Sequence, residues 1–117
     1  MDLSLTENTV DSQTIVQVRG EVDVHSAPQL RDRLTDVIDG GKKSVVVDLS
    51  RLDFIDSTGL GALVAALNHA KGTEAALRVV CSSERVLKLF RITGLDEVFS
   101  IFNSVPLAVA AGSNPPA

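Results

Sequence analysis

Three consecutive β-branched residues, Val45, Val46 and Val47, are the sequence feature that most constrains the fold of this chain. β-Branched residues favour strands, and an uninterrupted apolar run is typical of a strand that is buried on both faces. Such a strand usually lies in the middle of a sheet. The segment from Ser44 to Leu49 is therefore predicted to be a central strand.

The rest of the chain alternates between strand and helix patterns. Residues 3–7 and 14–19 alternate apolar and polar positions, and the polar turn formers between them, Asn8 to Gln13, predict a hairpin. Further along, apolar residues spaced three and four apart predict helices. The first predicted helix follows Ser26 and ends at Gly40-Gly41, and the third is capped by Ser82 or Ser83 and stopped by Gly94. The other predicted helices are residues 58–71 and 104–111, and the other predicted strands are residues 76–81 and 98–102.

The first predicted helix has clear end signals. Ser26 stands at the expected N-cap, and Gln29 three residues later completes the pattern of a capping box. Pro28 falls in the first turn, where its missing N–H costs little. The pair Gly40-Gly41 is expected to end the helix.

Strands that alternate with helices after an initial hairpin indicate an α/β domain with a mixed β-sheet. We expect about four to five strands and about four helices. A chain of 117 residues has room for one core, and the domain is predicted to span residues 1–111. Residues 112–117 are Pro-rich and are predicted to form a disordered tail.

Composition argues against several classes of function. The net charge of −4 would repel duplex nucleic acid on average, and no stripe of Lys and Arg opposes that average. No apolar run approaches the ~18 residues of a spanning helix, so no membrane partner is expected. The single cysteine, Cys81, cannot form an internal disulfide, which favours a reducing compartment and a cytoplasmic protein.

The segment from Asp56 to Gly61 joins the central strand to the second predicted helix, where open α/β sheets present functional loops. Ser57 is predicted at or beside the helix N-cap, with its Oγ accepting from the backbone N–H near Leu60. The free N–H groups and the positive end of the helix dipole could also hold a phosphate on this serine. A structural cap and a phosphorylation site are both compatible with this position.

Small residues are concentrated in the second predicted helix and are expected to keep much of its outward side small. Glycine in a helix costs about 1 kcal/mol relative to alanine, so two glycines in the first turn need a reason. Close approach by a partner and tight packing inside the domain are equally good reasons. The small residues concerned are Gly59, Gly61, Ala62, Ala65 and Ala66.

Three motifs in the right order resemble those of one family. Asp56-Ser57-Thr58-Gly59-Leu60-Gly61, following the central strand, resembles the signature of STAS domains, specifically the stand-alone anti-sigma factor antagonists. Gly20-Glu21-Val22-Asp23 resembles the family's turn after its second strand. Leu89 to Leu95 resembles its closing helix and turn. The resemblance extends from about Leu3 to Phe102.

The resemblance implies a binding switch and not an enzyme. Such a domain binds an anti-sigma factor, typically a histidine-kinase-like ATPase, and so frees a sigma factor. The ATPase phosphorylates the serine after the signature aspartate, here Ser57, and a phosphoserine phosphatase reverses the step. Thr58 stands where many relatives have a second serine. The resemblance implies no cofactor and a partner surface made of Asp23, Asp56, Ser57, Thr58, Gly59, Gly61 and Ala62.

The sequence gives less support to other functions. No phosphate-binding glycine loop or nucleophile elbow is present, and neither His25 nor His69 is expected to be catalytic. Four aspartates could gather as a metal site, but turn and cap roles explain them more simply, and no metal is expected; they are Asp23, Asp48, Asp53 and Asp56. STAS-like domains also occur in larger assemblies and transporters. A subunit of such a complex, without phosphorylation, is the alternative.

Overall fold

A computed structural model of the chain describes residues 3–113, and it contains a five-stranded mixed sheet with four helices. This confirms the predicted fold class. In chain order the elements are β1 (Leu3–Val10), β2 (Gln13–Val22), α1 (Ala27–Asp39), β3 (Ser44–Ile55), α2 (Ser57–Gly72), β4 (Ala76–Val80), α3 (Glu84–Ile92), a 3-10 turn (Leu95–Glu97), β5 (Ile101–Phe102) and α4 (Val105–Ser113).

The strands lie in the order β1-β2-β3-β4-β5, with β1 antiparallel to β2 and every other pair parallel. β3 is central, as predicted. The hairpin turn is narrower than predicted, because only Asp11 (φ 50°) and Ser12 (φ 66°) leave the strands. Two consecutive left-handed residues match the twist of the flanking strands, so pairing continues up to the turn.

Both faces of the central strand are buried, as its β-branched run predicts. Val45 and Val47 contribute to the large core beneath α1, α2 and α3, whereas Val46 points to the other face. There it packs with Ala108 and Val109 of α4. α4 covers only part of this second face. We call the uncovered part, toward the end of β3, the open face; its exposed residues include Ser4, Arg19, Ser50, Arg51 and Asp53.

The buried cysteine and the end of α4 are the remaining features of the fold. Cys81 is fully buried in the core, and burial raises the pKa of its thiol. α4 continues through Gly112 to Ser113, so the helix ends later than expected. The rest of the expected disordered tail, residues 114–117, lies outside the described residues.

Candidate functional site

The junction between β3 and α2 is organised by the carboxylate of Asp56. Its Oδ1 accepts from the backbone N–H of Thr58 at 3.0 Å and of Gly59 at 3.2 Å, and it also accepts from the Thr58 hydroxyl. Asp56 is therefore the N-cap of α2, and the prediction that the Ser57 side chain caps the helix is wrong. The N–H of Leu60 bonds to the backbone carbonyl of Asp56. Ser57 is the first helical residue, so Asp56 holds the N-cap position, from which a side chain reaches the N–H groups of the first turn.

The two neighbouring hydroxyls consequently differ. Ser57 is the first residue of α2, is exposed, and makes no side-chain hydrogen bond within residues 3–113. Thr58 is also exposed, but its hydroxyl donates to Asp56. The N–H groups of Thr58 and Gly59 that could have held a phosphate on Ser57 are already bonded to the Asp56 carboxylate. Ser57 therefore presents the accessible, unengaged hydroxyl of this pair.

The turn between β2 and α1 lies beside this junction. Val22 and Ile55, the last residues of β2 and β3, pair with each other, and the N–H of Asp56 donates to the Val22 carbonyl at 3.3 Å. Asp23 and Asp56 each follow one of these paired residues. The structure therefore brings both predicted carboxylates to the same edge of the sheet.

Within this turn the Asp23 carboxylate and the Ser26 hydroxyl are both side-chain acceptors, and Ser26 Oγ accepts from the backbone N–H of Asp23 at 3.0 Å. Asp23 Oδ1 accepts from the N–H of Ser26 at 3.1 Å and of His25 at 2.9 Å, and the Ser26 N–H is the main cause of a lowered Asp23 pKa. The hydroxyl of Ser26 donates to the backbone carbonyl of Glu21, five residues earlier in the chain, at 2.9 Å. Ser26 is the N-cap residue of α1, as predicted, but its side chain makes no cap hydrogen bond, so the predicted capping box is wrong. Its hydroxyl closes the turn instead.

The small residues of α2 fall on two different sides of the helix. A Cβ on Gly59 would lie 2.5 Å from Ile55 Cγ1 and 2.8 Å from Val22 Cγ1, whereas a Cβ on Gly61 would meet nothing within 4 Å. Ala62 and Ala66 are buried, and Gly61 and Ala65 are exposed. Five small residues of α2 were predicted to face outward, and only Gly61 and Ala65 do so. At position 59 a side chain would clash inside the domain, whereas Gly61 faces open space.

A shallow groove of about 260 Å³ lies on the surface between α1 and the first turns of α2. Val24 lies at the edge of the groove and is 60% exposed. Arg31 is the positively charged residue of the groove lining, and its guanidinium group lies 3.2 Å from the Asp32 carboxylate. Val24 was missed from sequence because an isolated valine in a polar turn carries no periodic signal. The groove is lined by Val24, Ala27, Pro28, Arg31, Thr58, Gly61, Ala62 and Ala65.

The remaining titratable residues have local roles. His69 Nε2 lies 2.6 Å from Asp39 Oδ1 and connects the C-terminal ends of α2 and α1. Asp48 accepts from the N–H of Ser50 at 3.0 Å.

Within the described part of the chain no three His, Cys, Asp or Glu side chains could jointly hold a metal ion. No helix in residues 3–113 is long and apolar enough to cross a membrane.

Removal of the cap should be measurable in the free protein. We expect Asp56→Ala to lower the free energy of unfolding by about 1 kcal/mol, because two N–H groups lose their acceptor. Asp56→Asn keeps an acceptor oxygen and is expected to retain most of the stability. Urea denaturation of the two variants checks this, and equal losses of stability would contradict the capping role.

Comparisons with known proteins agree on one family. The model of the STAS domain family matches residues 4–108. The anti-sigma-B factor antagonist of Staphylococcus aureus (strain NCTC 8325 / PS 47) is 34% identical over 101 residues, covering 86% of this chain and 94% of the relative. That of Bacillus subtilis (strain 168) is 35% identical, covering 86% and 88%. The crystal structure of an anti-sigma factor antagonist from Mycobacterium paratuberculosis superposes with a TM-score of 0.89, at 27% identity, over 97% and 96% of the two chains.

Proposed function

This chain belongs to the STAS domain family, and on that premise we propose that it is an anti-sigma factor antagonist switched off by phosphorylation of Ser57. The unmodified protein binds an anti-sigma factor and thereby frees a sigma factor. The partner is a histidine-kinase-like ATPase that also phosphorylates Ser57, and a phosphoserine phosphatase restores the active form. The protein acts as a binding partner in the cytoplasm and performs no catalysis itself.

The observation that carries this proposal is the difference between the two hydroxyls at the start of α2. Phosphoryl transfer needs a hydroxyl that another protein can reach and that is free to attack the γ-phosphate of ATP. Ser57 is exposed and without a hydrogen bond among the described residues, whereas Thr58 donates to Asp56. The transfer forms a bond from Ser57 Oγ to phosphorus, breaks the bond to ADP and releases the hydroxyl proton.

The surroundings of Ser57 suit a protein contact. Gly61 and Ala65 leave the outer side of α2 without protruding side chains at these two positions, so a partner backbone can approach the helix closely. Val24 is 60% exposed and lines the groove together with Thr58 and Gly61, so it supplies apolar surface for a partner to bury. A contact of this kind excludes water from the Ser57 hydroxyl.

Phosphorylation adds about −1.5 to −2 charge at that position. The new charge stands next to the Asp56 carboxylate, which already occupies the N–H groups of Thr58 and Gly59. Asp23 lies at the same edge of the sheet. A desolvated, unpaired charge costs several kcal/mol, so the modified protein should leave the complex.

Mapping of the modified site tests the proposal. The protein is incubated with candidate anti-sigma ATPases and ATP, and any phosphorylated residue is located by mass spectrometry. We expect one phosphate on Ser57, its loss in Ser57→Ala, and its retention in the matched variant Thr58→Val. A stable complex without phosphorylation would contradict the switch and favour a constitutive subunit of a larger assembly. Phosphate on Thr58 would overturn the assignment of the acceptor.

A further inference from the structure

Two arginines on the open face of the sheet differ from all the others in the described chain. Arg19 and Arg51 make neither an ion pair nor a side-chain hydrogen bond within residues 3–113. The other five arginines each donate to a carboxylate, a hydroxyl or a backbone carbonyl; they are Arg31, Arg33, Arg78, Arg85 and Arg91.

The two unpaired arginines are also direct neighbours. Arg19 of β2 pairs with Arg51 of β3 in the sheet register, and both side chains are exposed. Like charges placed directly opposite each other on adjacent strands are destabilising. Among the ion pairs of residues 3–113 none involves Arg19 or Arg51, so no carboxylate in direct contact offsets this repulsion.

A β-bulge is responsible for this pairing. The register advances by two residues in β2, from Gln17 to Arg19, and by three residues in β3, from Asp48 to Arg51. Without the extra residue Arg19 would pair with Ser50, and Arg51 would point to the opposite, core-facing side. Bulges are often found where a side chain is redirected for function.

The arginines line a pocket of about 580 Å³ on the open face. Ser4 and Ser50 add hydroxyl groups to its wall, and Asp53 adds one carboxylate, so the lining carries one net positive charge. Guanidinium groups bind oxyanions through paired N–H donors. A phosphate group has enough oxygens to accept from two guanidinium groups at once, whereas a carboxylate has only two oxygens.

We propose that Arg19 and Arg51, with the hydroxyls of Ser4 and Ser50, form a binding site for a phosphate monoester. The ligand is either a free small molecule or a phosphorylated side chain of another protein. The site lies on the opposite face of the sheet from α1 and α2, so it does not depend on the proposed function of Ser57.

Titration of the ¹⁵N-labelled protein tests this site. Inorganic phosphate and a phosphoserine-containing peptide are added separately at constant ionic strength, and amide shifts are followed. We expect saturable shifts at residues 19–20 and 50–53, and roughly tenfold weaker binding in both Arg51→Gln and Arg19→Gln. Arg33→Gln, which removes the same charge at another exposed site, should bind as the unmodified protein does.

The outcomes separate the possibilities. Tighter binding of the phosphopeptide than of phosphate identifies a protein side chain as the source of the ligand, and the reverse identifies a small molecule. Equal effects of Arg33→Gln and Arg51→Gln, or shifts that never saturate, would overturn the proposal, as would shifts centred on the first turn of α2. A Ser57→Ala background keeps the result independent of the switch.

Discussion

Ser57→Glu is expected to bind the anti-sigma partner about a hundredfold more weakly than Ser57→Gln. The two side chains are nearly the same size, so steric effects cancel and the difference reports charge alone. Ser57→Ala is expected to bind as the unmodified protein does and to resist switching off by ATP. Isothermal titration with the purified partner measures all three affinities.

The size of this effect follows from the position of the residue. Ser57 adjoins the Asp56 carboxylate, and two backbone N–H groups that could offset a new charge already bond to Asp56. A charge buried without a partner costs about 3–5 kcal/mol, of which an exposed rim would recover part. Equal affinities of the Glu and Gln variants would show that size, and not charge, controls the contact.

Gly59→Ala and Gly61→Ala form a second matched pair, with opposite expected effects on stability. Both replace a glycine in the first turns of α2 by the best helix former. At Gly59 the new methyl group would overlap Ile55 and Val22, both of which are buried. At Gly61 it would enter open space.

We expect Gly59→Ala to lower the free energy of unfolding by about 1–3 kcal/mol, the usual cost of overpacking a core. Gly61→Ala should raise it by up to about 1 kcal/mol through helix propensity. Urea denaturation measures both changes. A stabilised Gly59→Ala would contradict the packing role of this glycine. A larger replacement, Gly61→Leu, should leave the fold intact and weaken partner binding.

The general fold could be predicted because its signals are long and periodic. The valine run of β3 and the leucine spacing of α2 identify a doubly covered strand and an amphipathic helix over many residues. The details that failed depend on competition between neighbours. At the start of α2, Asp56 and Ser57 are both good N-caps, and sequence does not say which side chain reaches the first N–H groups.

The prediction that all five small residues of α2 face outward failed for a similar reason. Gly59, Ala62 and Ala66 belong to the buried side together with the leucines, because α2 packs against both the sheet and α1. The buried stripe is therefore wider than the leucine spacing alone indicates. Likewise, a regular strand would place Arg51 on the core side, so its position beside Arg19 could not be predicted without the bulge.

The most direct measurement compares the phosphorylated and unmodified forms of the unaltered protein in one titration with the anti-sigma partner. If a charge at Ser57 makes the contact untenable, phosphorylation should weaken the affinity about a thousandfold, which corresponds to about 4 kcal/mol. Treatment with a phosphoserine phosphatase should restore it. Undiminished binding of the form that carries phosphate on Ser57 would contradict the switch.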